Sequence, residues 1–127
     1  MRWEEIGTRT NKRSVGSVYE KRAAAYLQEQ GYTILEMNYR CRKGEIDIVA
    51  IDGAYLCFVE VKYRKDAKTG DPLEAVGMKK QQVICYVAAY YLLMHQKYYA
   101  MQIRFDVIAI CGENLTLLKN AFPYRGR

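Results

Sequence analysis

Hydrophobic and polar positions in the first half of the chain predict one helix followed by three strands. Residues 14–30 are rich in alanine and straight-chain side chains, which favours a helix, and Gly31 stands where a helix stop is expected. A strand is expected at 32–40. The stretch 44–65 then has the pattern of a hairpin made of two apolar strands.

The second half predicts another helix and two more strands. The "DPLE" at 71–74 combines an N-cap, a proline at the first helical position and an acid three residues past the cap. A helix is therefore expected from there to about residue 96, with Gly77 in its interior. Strands are expected at 101–110 and near 115–122. The order α-β-β-β-α-β-β predicts an α/β layered domain in which helices flank a central mixed sheet.

The chain length of 127 residues fits one domain with its own core. We expect a single domain over 14–122, between a flexible basic arm at 1–13 and a short C-terminal tail at 123–127. Tyrosines at helical spacing in the second helix could stack on bases, but their place in an apolar run favours core packing or a dimer contact, so a homodimer is left open.

Four ionisable residues interrupt the predicted hairpin. They are Glu45, Asp47, Glu60 and Lys62. Two turns are plausible, Asp52-Gly53 or Gly53-Ala54, and in both registers odd-numbered residues of the first strand share a face with even-numbered residues of the second. Alternation therefore predicts that all four charged groups converge at the open end of the hairpin, with Glu45 and Asp47 on the face of Val49 and Ile51.

Two interpretations of this convergence stay open. Carboxylates crowded at the margin of an apolar face are unfavourable unless a cation lies between them, which favours a site for a hard divalent ion. Alternatively, Lys62 forms a plain ion pair with Glu45 or Glu60, and the charges protect a sheet edge.

Glu20 in the first helix also has two interpretations. By its spacing it shares a helical face with Ala23, Ala24 and Leu27, which would direct its carboxyl towards the sheet as a further acid. The segment "SVYE" at 17–20 also matches a capping box, in which Glu20 only closes the first turn.

Composition narrows the class of partner. The formal net charge is +6 and the basic residues are clustered, which suits a polyanion such as nucleic acid because phosphate contacts release counterions. The longest apolar helical stretch, Val83–Met94, is shorter than the roughly 20 residues that span a bilayer, and a signal-peptide core is lacking. A cytoplasmic protein without membrane contact is expected. The four cysteines lack zinc or redox spacing, so we expect small buried hydrophobic residues.

The chain resembles the YraN family of small bacterial proteins over about residues 15–118. The resemblance is carried by "GSVYEKRAAAYLQEQGYTILEMNYRCRKGEIDIVAIDGAYLCFVEVKYRK", "AVGMKKQQVICYVAAYYL" and "IRFDVIAI". It implies a restriction-endonuclease-like fold, similar to archaeal Holliday-junction resolvases and other nucleases of the PD-(D/E)XK class. The domain at 14–122 is accordingly expected to be nuclease-like.

The resemblance also implies roles for individual residues. In the nuclease class an acid on the first core helix, an aspartate on a strand and an acid-x-lysine on the next strand form the catalytic centre. These positions correspond to Glu20, Asp47, and Glu60 with Lys62, although Ile46 stands where the named motif has proline. The implied ligands for Mg²⁺ or Mn²⁺ are Asp47, Glu60, the carbonyl of Val61 and, through water, Glu20 or Glu45.

A basic rim is expected around this centre. Its members, expected to contact nucleic acid, are Arg40, Arg42, Lys43, Arg64, Lys65, Lys80 and the polar Gln81. The expected function is a metal-dependent endonuclease that hydrolyses phosphodiester bonds in DNA, including branched or repair intermediates. The alternative is a nucleic-acid-binding or interaction module with little or no catalytic activity.

Overall fold

The computed structural model describes the backbone of residues 11–17 and all atoms of residues 18–64 and 76–124. Two helices flank a five-stranded sheet, and the elements follow the predicted order α-β-β-β-α-β-β. Their bounds are α1 Asn11–Glu29, β1 Thr33–Cys41, β2 Gly44–Asp52, β3 Tyr55–Arg64, α2 Met78–Met94, a 3₁₀ turn Gln96–Tyr98, β4 Gln102–Cys111 and β5 Asn114–Phe122.

The sheet is mixed, as predicted, and its strands lie side by side in chain order. In the described sheet, β3 and β4 run parallel, whereas the other neighbouring strands pair antiparallel. The parallel pair follows from the connection, because a crossover containing a helix returns the chain to the end where β3 began. The C-terminal end of β3, the tip of the β1–β2 hairpin and the start of α2 therefore lie at one end of the sheet.

Each face of the sheet packs against one helix. Helix α2 buries Ile84, Val87 and Tyr91 against a cluster that includes Phe58 and Phe105. On the other face, α1 buries small and apolar side chains in a second cluster with members Ala23, Leu27, Ile48, Cys57, Val59 and Ile108. The sheet is thus covered on both sides, which explains why its central strands read as nearly continuous apolar runs.

Helix α1 begins earlier than predicted and ends where predicted. Its first residue is Asn11, so residues 11–13, expected in a flexible arm, are helical. Gly31 ends the helix at a positive φ of 97°, and the amide of Tyr32 donates to Leu27 O at 3.0 Å. This arrangement satisfies the last carbonyls of the helix, a conformation that glycine adopts without Cβ strain.

The predicted interior position of Gly77 in the second helix is wrong. Helix α2 begins at Met78, and Gly77 precedes it in an extended conformation as the N-cap. Glycine loses more backbone entropy in a helix than any other residue, so the helix starts after it. The "DPLE" segment lies outside the described residues, as do 1–10 and 125–127 of the predicted arm and tail.

The β2–β3 turn resolves the register that the sequence left open. Asp52 pairs with Tyr55, so Gly53 and Ala54 form the two-residue loop. Gly53 has a φ of 60°, the conformation that the first loop position of a type II′ turn requires. In this register Asp47 lies opposite Glu60.

The four cysteines form no disulfide within the described part of the chain. Cys57 and Cys85 are buried, as predicted, whereas Cys41 and Cys111 are half-buried. Burial among apolar side chains, with Asp106 nearby, raises the pKa of Cys57 to about 12, so this thiol stays protonated. Among the described helices, none is long and apolar enough to cross a membrane.

The α1 face of the sheet also buries a cluster of charged groups at the turn end of β2. Arg104 Nε lies 3.0 Å from Asp106 Oδ1, and its Nη2 lies 2.6 Å from Asp52 Oδ2. Tyr32 donates its hydroxyl to Asp106 Oδ2 at 2.8 Å. Arg104 and Asp106, two residues apart on β4, therefore form a buried ion pair at the end of the sheet away from the acids.

Gly44 sets the distance between the β1–β2 hairpin and helix α2. A Cβ at this position would lie 2.6 Å from Val83 Cγ1, closer than packed atoms approach. We predict that Gly44→Ala lowers the free energy of unfolding by about 1–3 kcal/mol, measured by urea denaturation. The double variant Gly44→Ala/Val83→Ala should recover part of this loss because the clashing methyl groups are gone. Additive losses in the double variant would contradict the steric explanation.

Candidate acidic metal site

Strands β2 and β3 separate at Asp47. Their pairing extends from the turn to Ile48 and Val59, one residue short of Asp47. Beyond that point the side chain of Asp47 replaces the ladder, since its Oδ2 accepts a hydrogen bond of 2.8 Å from the amide of Val61. The carboxyl of Asp47 therefore sits in a gap between two strands.

Side-chain alternation also breaks at this position, which corrects one expectation. Ile46 packs on the α2 face and Ile48 on the α1 face, although two residues apart on a regular strand share a face. Asp47 was expected on the face of Val49, which packs with α2. Instead, its carboxyl interacts with Glu20 of helix α1.

The neighbouring strand has a matching irregularity at Asn38. Met37 packs on the α1 face and Tyr39 on the α2 face, so β1 changes sides as β2 does. Between them Asn38 has a φ of 55°, in the left-handed region that asparagine tolerates better than most residues. In the register of β1 and β2 it lies opposite Asp47, and its side chain hydrogen-bonds the carboxyl of Glu20.

Three carboxyl groups meet at this irregularity. One oxygen each from Glu20, Glu45 and Asp47 lies within 4.8 Å of the others. Glu20 lies in the middle of α1, far from its first turn, so the capping-box interpretation is wrong and the alternative with an inward-facing carboxyl holds. The acids thus come from a helix and from a strand well separated in sequence.

The electrostatics of the cluster favour a positive occupant. Burial and then the charge of Glu60 raise the pKa of Asp47 to about 8, although the amide of Val61 opposes the shift. Burial also raises the pKa of Glu20, with Glu45 adding to the effect. A cation among these carboxyls would offset the repulsion that contributes to both shifts in pKa.

The spacing of the carboxyl oxygens fits a hard divalent ion. Oxygen ligands on opposite sides of Mg²⁺, each at about 2.1 Å, lie about 4.2 Å apart. Adjustment of side-chain rotamers is enough to bring three oxygens within 4.8 Å to this spacing. The donor set is carboxylate only, which suits Mg²⁺ or Mn²⁺ rather than zinc or copper.

Glu60 is held by two lysines. Its Oε2 lies 3.5 Å from Lys62 Nζ and 3.5 Å from Lys80 Nζ, while the side chain is only 6% exposed. Glu60 is not among the three acids within 4.8 Å, but its charge acts on both Asp47 and Glu20. The predicted ion pair of Lys62 with Glu60 is therefore present beside the acidic cluster. The predicted protection of a sheet edge is wrong, because β2 and β3 both lie inside the sheet, and the divalent-ion site stays a prediction.

Four of the basic residues expected in the rim lie around one cleft beside the acids. Arg40 Nε forms an ion pair of 3.0 Å with Glu45, which ties this arginine to the acidic cluster. Arg42 and Lys43 are exposed at the tip of the β1–β2 hairpin. Together with Lys80 these residues line an open cleft of about 540 Å³.

The other described residues expected in the basic rim do not line this cleft. Gln81 donates its side-chain amide to Val76 O at 2.9 Å, which supports the start of α2. Arg64 is half-buried at the end of β3. Lys65 lies outside the described residues. Val61 takes part through its amide, and the metal-binding role of its carbonyl stays a prediction.

Sequence reasoning missed one residue of the site and one contact of a residue that it did predict. Asn38 looked like an ordinary strand residue, and its only signal was the tolerance of asparagine for a positive φ. Lys80 was expected to contact phosphates, whereas it also neutralises Glu60. The spacing along α2 gave no indication of that contact because it depends on how the helix approaches β3.

Comparisons with known proteins agree on one family. The model of the "Uncharacterised protein family UPF0102" matches residues 19–110. A UPF0102 protein of Lachnoclostridium phytofermentans is 50% identical over 116 residues, covering 91% of this chain and 98% of the relative. A UPF0102 protein of Syntrophus aciditrophicus is 46% identical over 117 residues, covering 89% of this chain and 91% of the relative. A UPF0102 protein of Acetivibrio thermocellus is 40% identical over 128 residues, covering 93% of this chain and 98% of the relative.

Proposed function

The chain belongs to the UPF0102 family, the YraN family of the sequence resemblance, and we propose that it is a Mg²⁺- or Mn²⁺-dependent endonuclease acting on DNA. The observation that carries the proposal is the meeting of Glu20, Glu45 and Asp47 within 4.8 Å, with a lysine-paired Glu60 beside them. Such a site on a basic protein suits phosphodiester hydrolysis, in which negative charge must be neutralised at a phosphate.

The order of elements supports a restriction-endonuclease-like fold. An acid on α1, an aspartate on β2 and an acid-x-lysine on β3 follow the sequence of parts that the resemblance implies for PD-(D/E)XK nucleases. The gap at Asp47 adds a reason for this placement, because separated strands let a substrate phosphate approach side chains that a closed ladder would bury. The fold assignment is part of the proposal.

The acids would hold the cation and the lysines would serve the chemistry. Asp47, Glu20 and Glu45 are the proposed principal ligands, and Glu60 beside them is proposed to complete the set. A bound Mg²⁺ or Mn²⁺ supplies a hydroxide nucleophile and neutralises charge on the phosphate. Lys62 is proposed to orient the attacking water or to stabilise the pentacovalent phosphate with its ammonium group.

Hydrogen bonds hold two of the proposed ligands in place, and basic residues lie beside them. The amide of Val61 holds the carboxyl of Asp47 at 2.8 Å, and Asn38 holds that of Glu20. Arg42 and Lys43 at the hairpin tip are proposed to bind flanking phosphates, contacts that position DNA without reading its sequence. Branched recombination or repair intermediates are included among the proposed substrates.

A nucleic-acid-binding module without turnover is the second candidate. It is favoured by the ion pairs that already neutralise two of the acids, Arg40 with Glu45 and the two lysines with Glu60. In that case these ion pairs stabilise the hairpin tip and the rim alone binds nucleic acid.

Incubation with DNA distinguishes these candidates. Purified protein is mixed with duplex, flap, four-way-junction and single-stranded substrates in Mg²⁺, Mn²⁺ or EDTA. We predict cleavage that EDTA abolishes and that Lys62→Met slows by about 10²- to 10³-fold. Lys97→Met, which removes an exposed lysine of the 3₁₀ turn after α2, is the matched control and should leave the rate unchanged. Salt-sensitive binding without cleavage by the wild type in either metal would favour the binding module.

A further inference from the structure

A stacked pair of tyrosines lies next to the acidic site. The rings of Tyr19 and Tyr63 have centroids 4.1 Å apart and are inclined by 23°. The two hydroxyl groups also share a hydrogen bond. The guanidinium of Arg22 lies 5.8 Å from the centre of the Tyr19 ring, so this arginine contacts the pair as well.

Sequence neighbours place the pair at the open end of the sheet. Tyr19 precedes Glu20 on α1, and Tyr63 follows Lys62 on β3, so each ring is one residue from a group of the proposed centre. Tyr63 also shares the α1 face of β3 with Val61, two residues or about 6.6 Å before it, whose amide binds the carboxyl of Asp47, and this keeps both rings within reach of a nucleotide bound at the acids. Arg22 Nη1 also donates to Gly112 O at 2.9 Å, which anchors this side of α1 to the β4–β5 turn.

Burial in the core does not explain why a tyrosine stands at position 63. Its side chain is 44% exposed, although it lies on a strand whose residues 56–60 are buried. Stacking and the shared hydrogen bond nevertheless restrict its ring on one side. A large aromatic surface that is both exposed and held in place is a pre-organised partner for another flat group.

We propose that Tyr63, backed by Tyr19, is a stacking platform for an unpaired nucleobase of the strand whose phosphate occupies the acidic site. This inference rests on the proposed function and deepens it. In a duplex both faces of a base are covered by its neighbours, so only an unpaired or extruded base can stack here. The platform therefore selects DNA with single-stranded character next to the phosphate that is attacked.

The test measures binding in EDTA, where no cleavage takes place. The affinity of a fluorescein-labelled single-stranded oligonucleotide and of the matching duplex is measured by anisotropy for the wild type and for Tyr63→Leu and Tyr63→Phe. We expect Tyr63→Leu to weaken single-strand binding by roughly 5- to 100-fold without changing duplex binding, and Tyr63→Phe to retain it. Tyr99→Leu, at the opposite end of the sheet and 57% exposed in the wild type, is the control and should have no effect.

A direct contact is tested with iododeoxyuridine in the same single strand. Irradiation is expected to cross-link the base to the peptide that contains Tyr63. Equal single-strand affinity of wild type and Tyr63→Leu, with the cross-link elsewhere, would overturn the platform while leaving the proposed nuclease intact. Absence of any oligonucleotide binding by the wild type would overturn both proposals.

Discussion

Replacing Asp47 by Asn is expected to raise the free energy of unfolding at pH 8 by about 2 kcal/mol while abolishing the proposed metal-dependent cleavage. Burial, and then the charges of Glu60 and Glu20, raise the pKa of this carboxyl to about 8. Removing a buried charge that lacks a counter-ion is stabilising by this order of magnitude. Asparagine keeps an oxygen that can accept the hydrogen bond from the amide of Val61.

The pH dependence of this gain has a definite sign. In the unfolded chain an aspartate ionises near pH 3.9, whereas folded Asp47 binds its proton more tightly. The carboxyl therefore costs stability increasingly as the pH rises from about 4 towards 8, and costs nothing below pH 4. Urea unfolding in EDTA at pH 5 and pH 8 should show a larger gain for Asp47→Asn at the higher pH.

Asp52→Asn is the matched control with the opposite sign. Hydrogen bonds from Arg104 and then Lys119 lower the pKa of Asp52, so its carboxylate stabilises the fold above the unfolded pKa and loses this effect as the pH falls through the folded value. Its replacement should lower the free energy of unfolding at pH 8. A loss of stability in Asp47→Asn at both pH values would contradict the account of a repulsive cluster.

Replacing Arg104 by Met is expected to lower the free energy of unfolding by about 3–5 kcal/mol. Arg104 contacts Asp106 through two nitrogens at 3.0 Å and also binds the hydroxyl of Tyr32 at 2.9 Å. Asp106 is completely buried, so the variant would leave its charge without a cation. Denaturation in urea measures the effect.

Two further variants make this prediction specific. Lys119→Met removes a lysine whose side chain is 49% exposed and which contacts Asp52 at 3.1 Å, so a loss of at most about 1 kcal/mol is expected. The double variant Arg104→Met/Asp106→Asn should be more stable than Arg104→Met alone because the uncompensated charge is gone. A single variant as stable as the wild type would contradict the importance of the network.

This network is separate from the acidic site. From Asp47 to Asp52 is five residues along β2, or about 16 Å. The folded fraction of Arg104→Met should therefore keep its cleavage rate. The α1 face of the sheet thus holds one balanced set of charges, which stabilises the fold, and one unbalanced set at the open end, which is proposed to bind metal.

Helix and strand order could be predicted from the sequence because the relevant signals are local. Gly31 was placed correctly as a helix stop because its requirement for a positive φ is a property of one residue. The register of the β2–β3 hairpin could be reduced to two choices for the same reason, since two-residue turns depend on Gly53. The predicted position of Gly77 was wrong because the cap signal at 71–74 predicts a helix that runs through it, whereas its low helix propensity favours a helix that starts after it.

The centre itself was only partly predictable. Alternation brought Asp47 towards Glu60, but strict alternation fails where Asn38 and Asp47 distort both strands. This distortion moves the carboxyl of Asp47 towards Glu20, a contact between a helix and a strand that no local pattern encodes. Tertiary packing of α1 and α2 against the open end determines which acids and lysines meet.

Calorimetric titration of Mn²⁺ into the protein most directly tests the claim that the carboxyls of Glu20, Glu45 and Asp47 form a cation site. Wild type and Asp47→Asn are compared at pH 8, with Asp52→Asn as a control that keeps the cluster intact. The account predicts saturable binding by the wild type and by Asp52→Asn, and its loss in Asp47→Asn. Identical binding by wild type and Asp47→Asn, or no binding by either, would contradict it.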